Sequence, residues 1–279
     1  MNIFKKLLAL LKRIFGGSDD NSDGNGTNPP LLGIQAFPYD DKQAIFNAIQ
    51  PNVVRLAVVA DENINHNCKI VNWYRNKGCS VILGMQDKHN PEATVDMAVT
   101  YASKLGNNNM VFELWNEPNF WNNVPDDEGW DNYLDVFRFI NMLRRFRDKM
   151  VGYTLTYGGL AGNVDNTTTT GMSAMKYLEI MKDNQVEQIM DYHNFHIYNN
   201  SDKFYKLYKA CKGLPLIVSE FGTDKGSEGD KITSHTKSMN QYTKNGVHTA
   251  VVYAWNGGDA FSLSNRPGVA EYVSKYKRR

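Results

Sequence analysis

The sequence predicts an α/β fold closed as a single-domain (β/α)8 barrel, on three observations. From Leu31 onward eight short β-branched runs alternate with amphipathic segments, and eight strand–helix units in about 250 residues match that architecture. The runs are almost continuously apolar, as strands covered on both faces must be. No GxGxxG turn follows the first of them, which argues against an open dinucleotide-binding sheet.

The strands expected are Leu31–Phe37, Val53–Val59, Ser80–Met85, Met110–Trp115, Thr154–Gly159, Tyr192–Ile197, Leu216–Ser219 and Thr249–Trp255. Pro118 ends the fourth by removing a backbone donor. Between strands, Asn90-Pro91 should cap and open a helix with Val95, Ala98, Val99, Ala102 and Leu105 on its apolar face and Gly106 as terminator. Another helical pattern runs from Tyr133 through Val136, Phe137, Ile140 and Leu143.

Ahead of the barrel, Ile3, Phe4, Leu7, Leu8, Leu11, Ile14 and Phe15 recur at helical spacing, with Lys5, Lys6, Lys12 and Arg13 on the other face. Residues 1–15 thus read as a basic amphipathic helix suited to an anionic membrane surface, to a protein partner's groove, or to plugging the barrel floor. It is too short and too charged to span a bilayer. Lys12 and Arg13 also interrupt the apolar stretch too early for a cleavable secretory signal. Residues 16–30, polar and ending in Pro29-Pro30, form a flexible linker, which leaves residues 31–279 as the barrel. This organisation favours an extracellular or membrane-surface location over a cytoplasmic one.

A length of 279 residues with 42% hydrophobic content suits one domain with a large core. A formal net charge of +1 gives no reason to expect nucleic acid as a partner. Cys68, Cys79 and Cys211 lack CxxC spacing and read as small buried thiols.

The active face of such a barrel lies at the C-terminal ends of its strands. In order those ends carry Gln35 and Phe37, Arg55, Gln86 and Asp87, Asn116 and Glu117, Gly159, His196 and Tyr198, Glu220, and Trp255 and Asn256. Hydrogen-bonding groups and aromatics dominate, with Arg55 the only fixed positive charge, so the pocket suits a neutral, hydroxyl-rich ligand. Glu117 and Glu220 each follow an apolar run, and two acids on one rim are what cleavage of a glycosidic bond requires. One protonates the departing oxygen while the other, as carboxylate, stands beneath the anomeric carbon. Glu113, four residues deeper than Glu117, reads as a paired polar group inside the barrel. Asp191, His193 and His196 invite a metal reading, but alternation sends the two histidines to opposite strand faces, so neither metal nor cofactor is expected.

Trp115-Asn116-Glu117-Pro118-Asn119, His196-Ile197-Tyr198, Val218-Ser219-Glu220-Phe221-Gly222 and Trp255 together resemble the clan A retaining glycoside hydrolases built on (β/α)8 barrels. Within that clan the chain is similar to the cellulase-type family 5 and the xylosidase/iduronidase-type family 39. Phe112 to Trp121 and Gly158-Gly159-Leu160-Ala161 lean toward the second. The resemblance implies Glu117 as general acid/base and Glu220 as nucleophile, with Asn116 at the sugar 2-hydroxyl and His196 beside the acid/base. It further implies Tyr198 and Arg55 on the nucleophile and Trp255 as floor under the cleaved sugar. Gln86-Asp87 stands where many family 5 members carry histidine, so Gln86 is expected among the sugar contacts. The activity implied is hydrolysis of β-linked O-glycosidic bonds in a poly- or oligosaccharide by double displacement. The alternative is a non-catalytic carbohydrate-binding barrel on the same fold.

Overall fold

The computed structural model describes residues 28–120, 135–161, 172–199, 209–210, 213–257 and 260–276. Its eight strands are β1 (Leu31–Ala36), β2 (Val53–Val59), β3 (Ser80–Gln86), β4 (Met110–Leu114), β5 (Leu155–Tyr157), β6 (His193–Tyr198), β7 (Leu216–Gly222) and β8 (Thr249–Val252). They form one parallel sheet in the order β5-β4-β3-β2-β1-β8-β7-β6. Two parallel bridges, Thr156 to Tyr192 and Leu160 to Phe195, join β5 to β6 and close the barrel.

All eight expected strands are present, with shifted ends. β5 shrinks to three residues, β8 stops at Val252 rather than Trp255, and β7 runs on through Glu220 to Gly222.

Seven helices among the described residues cover the strands: α1 (Lys42–Ile49), α2 (Ile64–Asn76), α3 (Ala93–Leu105), α4 (Val136–Lys149), α5 (Ala174–Asp183), α6 (Glu228–Lys244) and α7 (Pro267–Tyr276). α3 starts later than expected, although Asn90 Oδ1 still accepts from Ala93 N at 3.3 Å, and Gly106 ends it at φ +66. Tyr101 joins the buried face of α3 while Val99 is only partly covered. α4 is capped by Asp135, whose carboxylate accepts from Arg138 N at 2.8 Å. Its buried side includes Phe139 and Phe146, and Phe137, expected on that side, is 57% exposed. The helix expected over 1–15, most of the linker, Tyr133 and Cys211 lie outside the described residues. Cys68 and Cys79 are buried thiols outside any disulfide, and Cys79 Sγ donates to Pro51 O at 3.2 Å. Among the described residues no helix is long and apolar enough to cross a membrane.

Period-two alternation divides the strand residues between two cores. Val54, Leu56, Phe112, Leu114 and Phe195 face the helices. Val53, Ile82, Val111, Tyr192, Ile217 and Val251 meet inside the barrel as a separate apolar floor. The next inward residues up from that floor carry the chemistry.

Candidate active site

Arg55 follows Val53 on the inward face of β2 and is only 1% exposed. A buried guanidinium is tolerable only if its five N–H groups are all met, and here they are. Nε and Nη2 donate to Glu113 at 2.7 Å each, the second Nη2 hydrogen reaches Asn116 Oδ1 at 2.9 Å, and Nη1 donates to Gln35 Oε1 at 2.8 Å and Glu220 Oε1 at 2.5 Å. Burial opposes its charge, but Glu113 and Glu220 outweigh that and hold the guanidinium protonated. Glu113 is therefore paired, as its depth required. Gly84 of β3 lies opposite, where a Cβ would stand 3.3 Å from Arg55 Nη2.

Tyr198 donates its hydroxyl to the second oxygen of Glu220. Burial and then the charges of Glu220 and Glu117 push the phenol well above its ordinary 10.0, so it stays a donor. His196 Nδ1 lies 2.8 Å from Glu117 Oε1 and 3.4 Å from Glu220 Oε2, and Nε2 lies 3.1 Å from Ser219 Oγ. Burial works against an imidazolium there, yet the charges of Glu220 and Glu117 overcome it and raise the pKa above 6.5. One donor atom from each of Glu117, His196 and Glu220 lies within 4.8 Å of the other two, the only cluster among the described residues close enough to share a metal ion. Both ring nitrogens of His196 are already engaged, and the Arg55 cation sits on Glu220, which disfavours a second cation.

Local backbone irregularities put these groups on one hollow. In β7 the pairing with β6 jumps from Phe195–Val218 to His196–Glu220, and the pairing with β8 jumps from Val218–Ala250 to Phe221–Val252. Ser219 is the extra residue of a bulge, so Ser219 and Glu220 both reach the barrel interior although they are sequence neighbours. At the end of β4, Trp115 and Glu117 adopt left-handed backbone, φ +74 and +48. Trp115 is thereby sent into the outer core, and Asn116 and Glu117 are aimed inward. Gly158 permits this, since a Cβ there would stand 2.5 Å from Trp115 O.

Glu117, Glu220, Arg55, Asn116, His196 and Tyr198 thus converge. Gln86, buried at the end of β3, keeps the inward parity of Ile82 and Gly84. Trp255 does not join them. β8 ends at Val252, so alternation no longer governs its side chain, which packs against the outer core. There it lines a cleft of about 410 Å3 with Ala48 of α1 and Pro267 and Ala270 of α7. Tyr253 takes the inner position instead, two residues after the inward Val251, its ring 5.8 Å from Tyr198 and 5.6 Å from Phe261. Burial and then the charge of Glu220 push its phenol up to about 12.

Sequence reasoning also missed Ser219, whose hydroxyl holds His196, and Asn119. Asn119 ties the turn after β4 to the far end of β5, donating to Ala161 O at 2.7 Å and accepting from Ala161 N at 3.0 Å. The Asn-Glu-Pro-Asn run contained Asn119 but gave no sign of its partner.

A parallel barrel with two acids facing one hollow on its rim, beside a buried arginine and tyrosine, is the arrangement that glycoside hydrolysis calls for. The chain belongs to the cellulase family, glycosyl hydrolase family 5, whose model matches residues 23–259. Of the two families it resembles by motif, this is the one the match selects. Its fold is similar to a family 5 subfamily 4 broad-specificity endoglucanase from Clostridium acetobutylicum, with TM-score 0.60, 12% identity, and coverage of 88% of this chain and 96% of that one. It is also similar to an endo-β-1,4-mannanase from Thermotoga petrophila, with TM-score 0.63, 13% identity, and coverage of 92% and 78%. A family 30 subfamily 8 xylanase from Clostridium acetobutylicum gives TM-score 0.65, 14% identity, and coverage of 92% and 73%. A search of curated protein sequences returns no match. The protein is a glycosidase that acts on carbohydrate.

Proposed function

We propose that this glycosidase cleaves β-linked poly- or oligosaccharides with retention, Glu117 serving as acid/base and Glu220 as nucleophile. The observation that carries the reading is the spacing of the two carboxylates, whose nearest donor atoms lie within 4.8 Å. Retaining enzymes hold the pair about 5–5.5 Å apart, whereas inverting enzymes need roughly 6.5–9.5 Å to admit a water. The names of the structural neighbours, an endoglucanase, a mannanase and a xylanase, support a β-glycan as substrate.

In the first step a Glu220 oxygen bonds to the anomeric carbon as the bond to the leaving oxygen breaks, and Glu117 delivers its proton to that oxygen. Arg55 and Tyr198 fix the Glu220 carboxylate through one bond to each oxygen. In the second step water attacks the glycosyl ester, Glu117 takes the water's proton, and Glu220 leaves as the carboxylate. His196, bonded to Glu117 and anchored by Ser219, holds the acid/base over the bond to be cut. Asn116, held on Arg55, would receive the sugar 2-hydroxyl, and Gln86 and Tyr253 would line the sugar site.

The test is Glu220→Ala assayed on 2,4-dinitrophenyl β-cellobioside. Turnover should fall by several orders of magnitude, and azide should restore it with the α-glycosyl azide as product. Full activity without azide would remove Glu220 from the role.

A further inference from the structure

Of the two buried acids among the described residues, the reaction above uses Glu220 and leaves the other without a part. Glu113 is fully buried on β4, and both its oxygens are taken by Arg55 Nε and Nη2. We propose that Glu113 is a positioning residue for the nucleophile, acting through Arg55: it occupies the Nε/Nη2 edge of the guanidinium and, with Asn116 on the other Nη2 hydrogen, leaves Glu220 to meet Arg55 through a single N–H. The inference rests on Glu220 being the nucleophile.

A guanidinium offers a carboxylate its strongest grip where two parallel N–H groups match two oxygens. Two glutamates compete for Arg55, and both are buried beside it. Were Glu220 to take a two-pronged edge, both its oxygens would be tied to the cation, and the bond from Tyr198 to Oε2 would be displaced. Such a carboxylate would be fixed in the wrong rotation, with one lone pair of each oxygen given to the cation and only the outward-facing ones left for the anomeric carbon. With Glu113 on the Nε/Nη2 edge, the remaining three N–H groups point to Gln35, Glu220 and Asn116. The rotation of one fork therefore sets both the nucleophile and the residue placed for the 2-hydroxyl.

Neighbouring residues hold the clamp in place. Gly84 leaves room for the guanidinium, and Gly159 N adds a 3.4 Å contact to Glu113 Oε1. Glu113 also balances the charge of Arg55, so the cation is not spent wholly on Glu220. A salt bridge serving stability alone would have no reason to share its arginine with the reacting carboxylate, and its loss would change unfolding without changing the bond-forming step.

The experiment measures kcat/KM on 2,4-dinitrophenyl β-cellobioside for the full chain, Glu113→Gln, Arg55→Lys and the double variant. With this leaving group kcat/KM reports formation of the glycosyl-enzyme bond with little call on the acid. Glu113→Gln should lower it on the order of 100-fold, the scale of a reacting group displaced by about an ångström. In the Arg55→Lys background the same substitution should cost less than about threefold, because its effect runs through the guanidinium. Wild-type kcat/KM in Glu113→Gln with only a lowered melting temperature would overturn the proposal, and so would losses that multiply in the double variant. Should Glu113→Gln not fold, Glu113→Asp keeps the charge and shortens the reach, and full activity there would overturn it equally. Glu220→Ala with azide, run alongside, separates the two levels. Azide rescue with an indifferent Glu113 sinks this inference alone, whereas failed rescue removes the nucleophile it depends on.

Discussion

A Cβ on Gly159 would stand 2.1 Å from His196 Cδ2 and 2.4 Å from Nε2. The imidazole cannot step aside without releasing Glu117 or Ser219, since each ring nitrogen holds one of them. Gly159→Ala should therefore misplace Glu117 and lower kcat/KM by roughly 100-fold, at a cost in stability of about 1–3 kcal/mol from overpacking. Kinetics with thermal melts on one preparation check this, and unchanged kcat/KM would show that His196 does not set the position of Glu117. At this scale the sequence was most readable where a residue broke its surroundings. Arg55 and the two glutamates stand out because a charge in or beside an apolar strand is anomalous. Gly159 reads as the end of a strand that stops two residues earlier, and the reason for a glycine there lies 37 residues away in His196 and leaves no local trace. Trp255 misled because an aromatic near a strand end invites an inward reading, and the strand had already stopped three residues before it.

Elements were legible as units because period two and the helical period are written locally in the chain. Their irregularities were not. The bulge at Ser219 and the turn after β4 place the candidate rim, yet the bulge holds no glycine, and the left-handed positions of the turn, Trp115 and Glu117, are neither the glycine nor the asparagine that usually announces such backbone. α6 shows an elemental property that burial alone predicts. Its inner face carries Lys231, His235, Ser238, Met239 and Tyr242, and His235 packs edge-on to Phe221 of β7. Burial first, then the Lys231 charge, pushes His235 down to about 4. Unfolding restores it toward about 6.5, so between those values the unfolded chain binds more protons than the folded one. Stability is complete above the upper value and is lost as pH falls toward the lower. At pH 4.5 the loss through this side chain is roughly 2–3 kcal/mol. Urea unfolding at pH 7 and 4.5 should show a smaller acid loss in His235→Gln by about that amount, and equal losses would show that the histidine is not buried as a neutral base.

Closing a barrel requires a last pair of strands to meet, and here β5 and β6 meet through two isolated bridges instead of a continuous ladder. Side chains complete the seam. Asn194 of β6, fully buried, donates to Tyr157 O at 3.1 Å on β5 and accepts from Ser219 N at 3.2 Å on β7, while its own carbonyl accepts from Leu160 N at 3.1 Å. One amide thus spans three strands and satisfies the N–H of the bulge residue that turns Glu220 inward, which ties the integrity of the barrel to the geometry of the site. Asn194→Ala should remove both side-chain bonds and leave the buried Ser219 N–H without this acceptor, at roughly 1–3 kcal/mol for each buried group stripped of its partner. The total, about 2–6 kcal/mol, is a large share of the roughly 5–15 kcal/mol that holds a domain together. The damage should also be local at first, because β2 and β3 keep their seven-residue pairing. Hydrogen exchange should therefore quicken at Leu155 to Tyr157 and at Ser219 well before it quickens at Val54 to Val58. Uniform acceleration across all eight strands, or a stability loss below about 0.5 kcal/mol, would mean that the barrel closes by its backbone bridges alone and that Asn194 merely fills space between them.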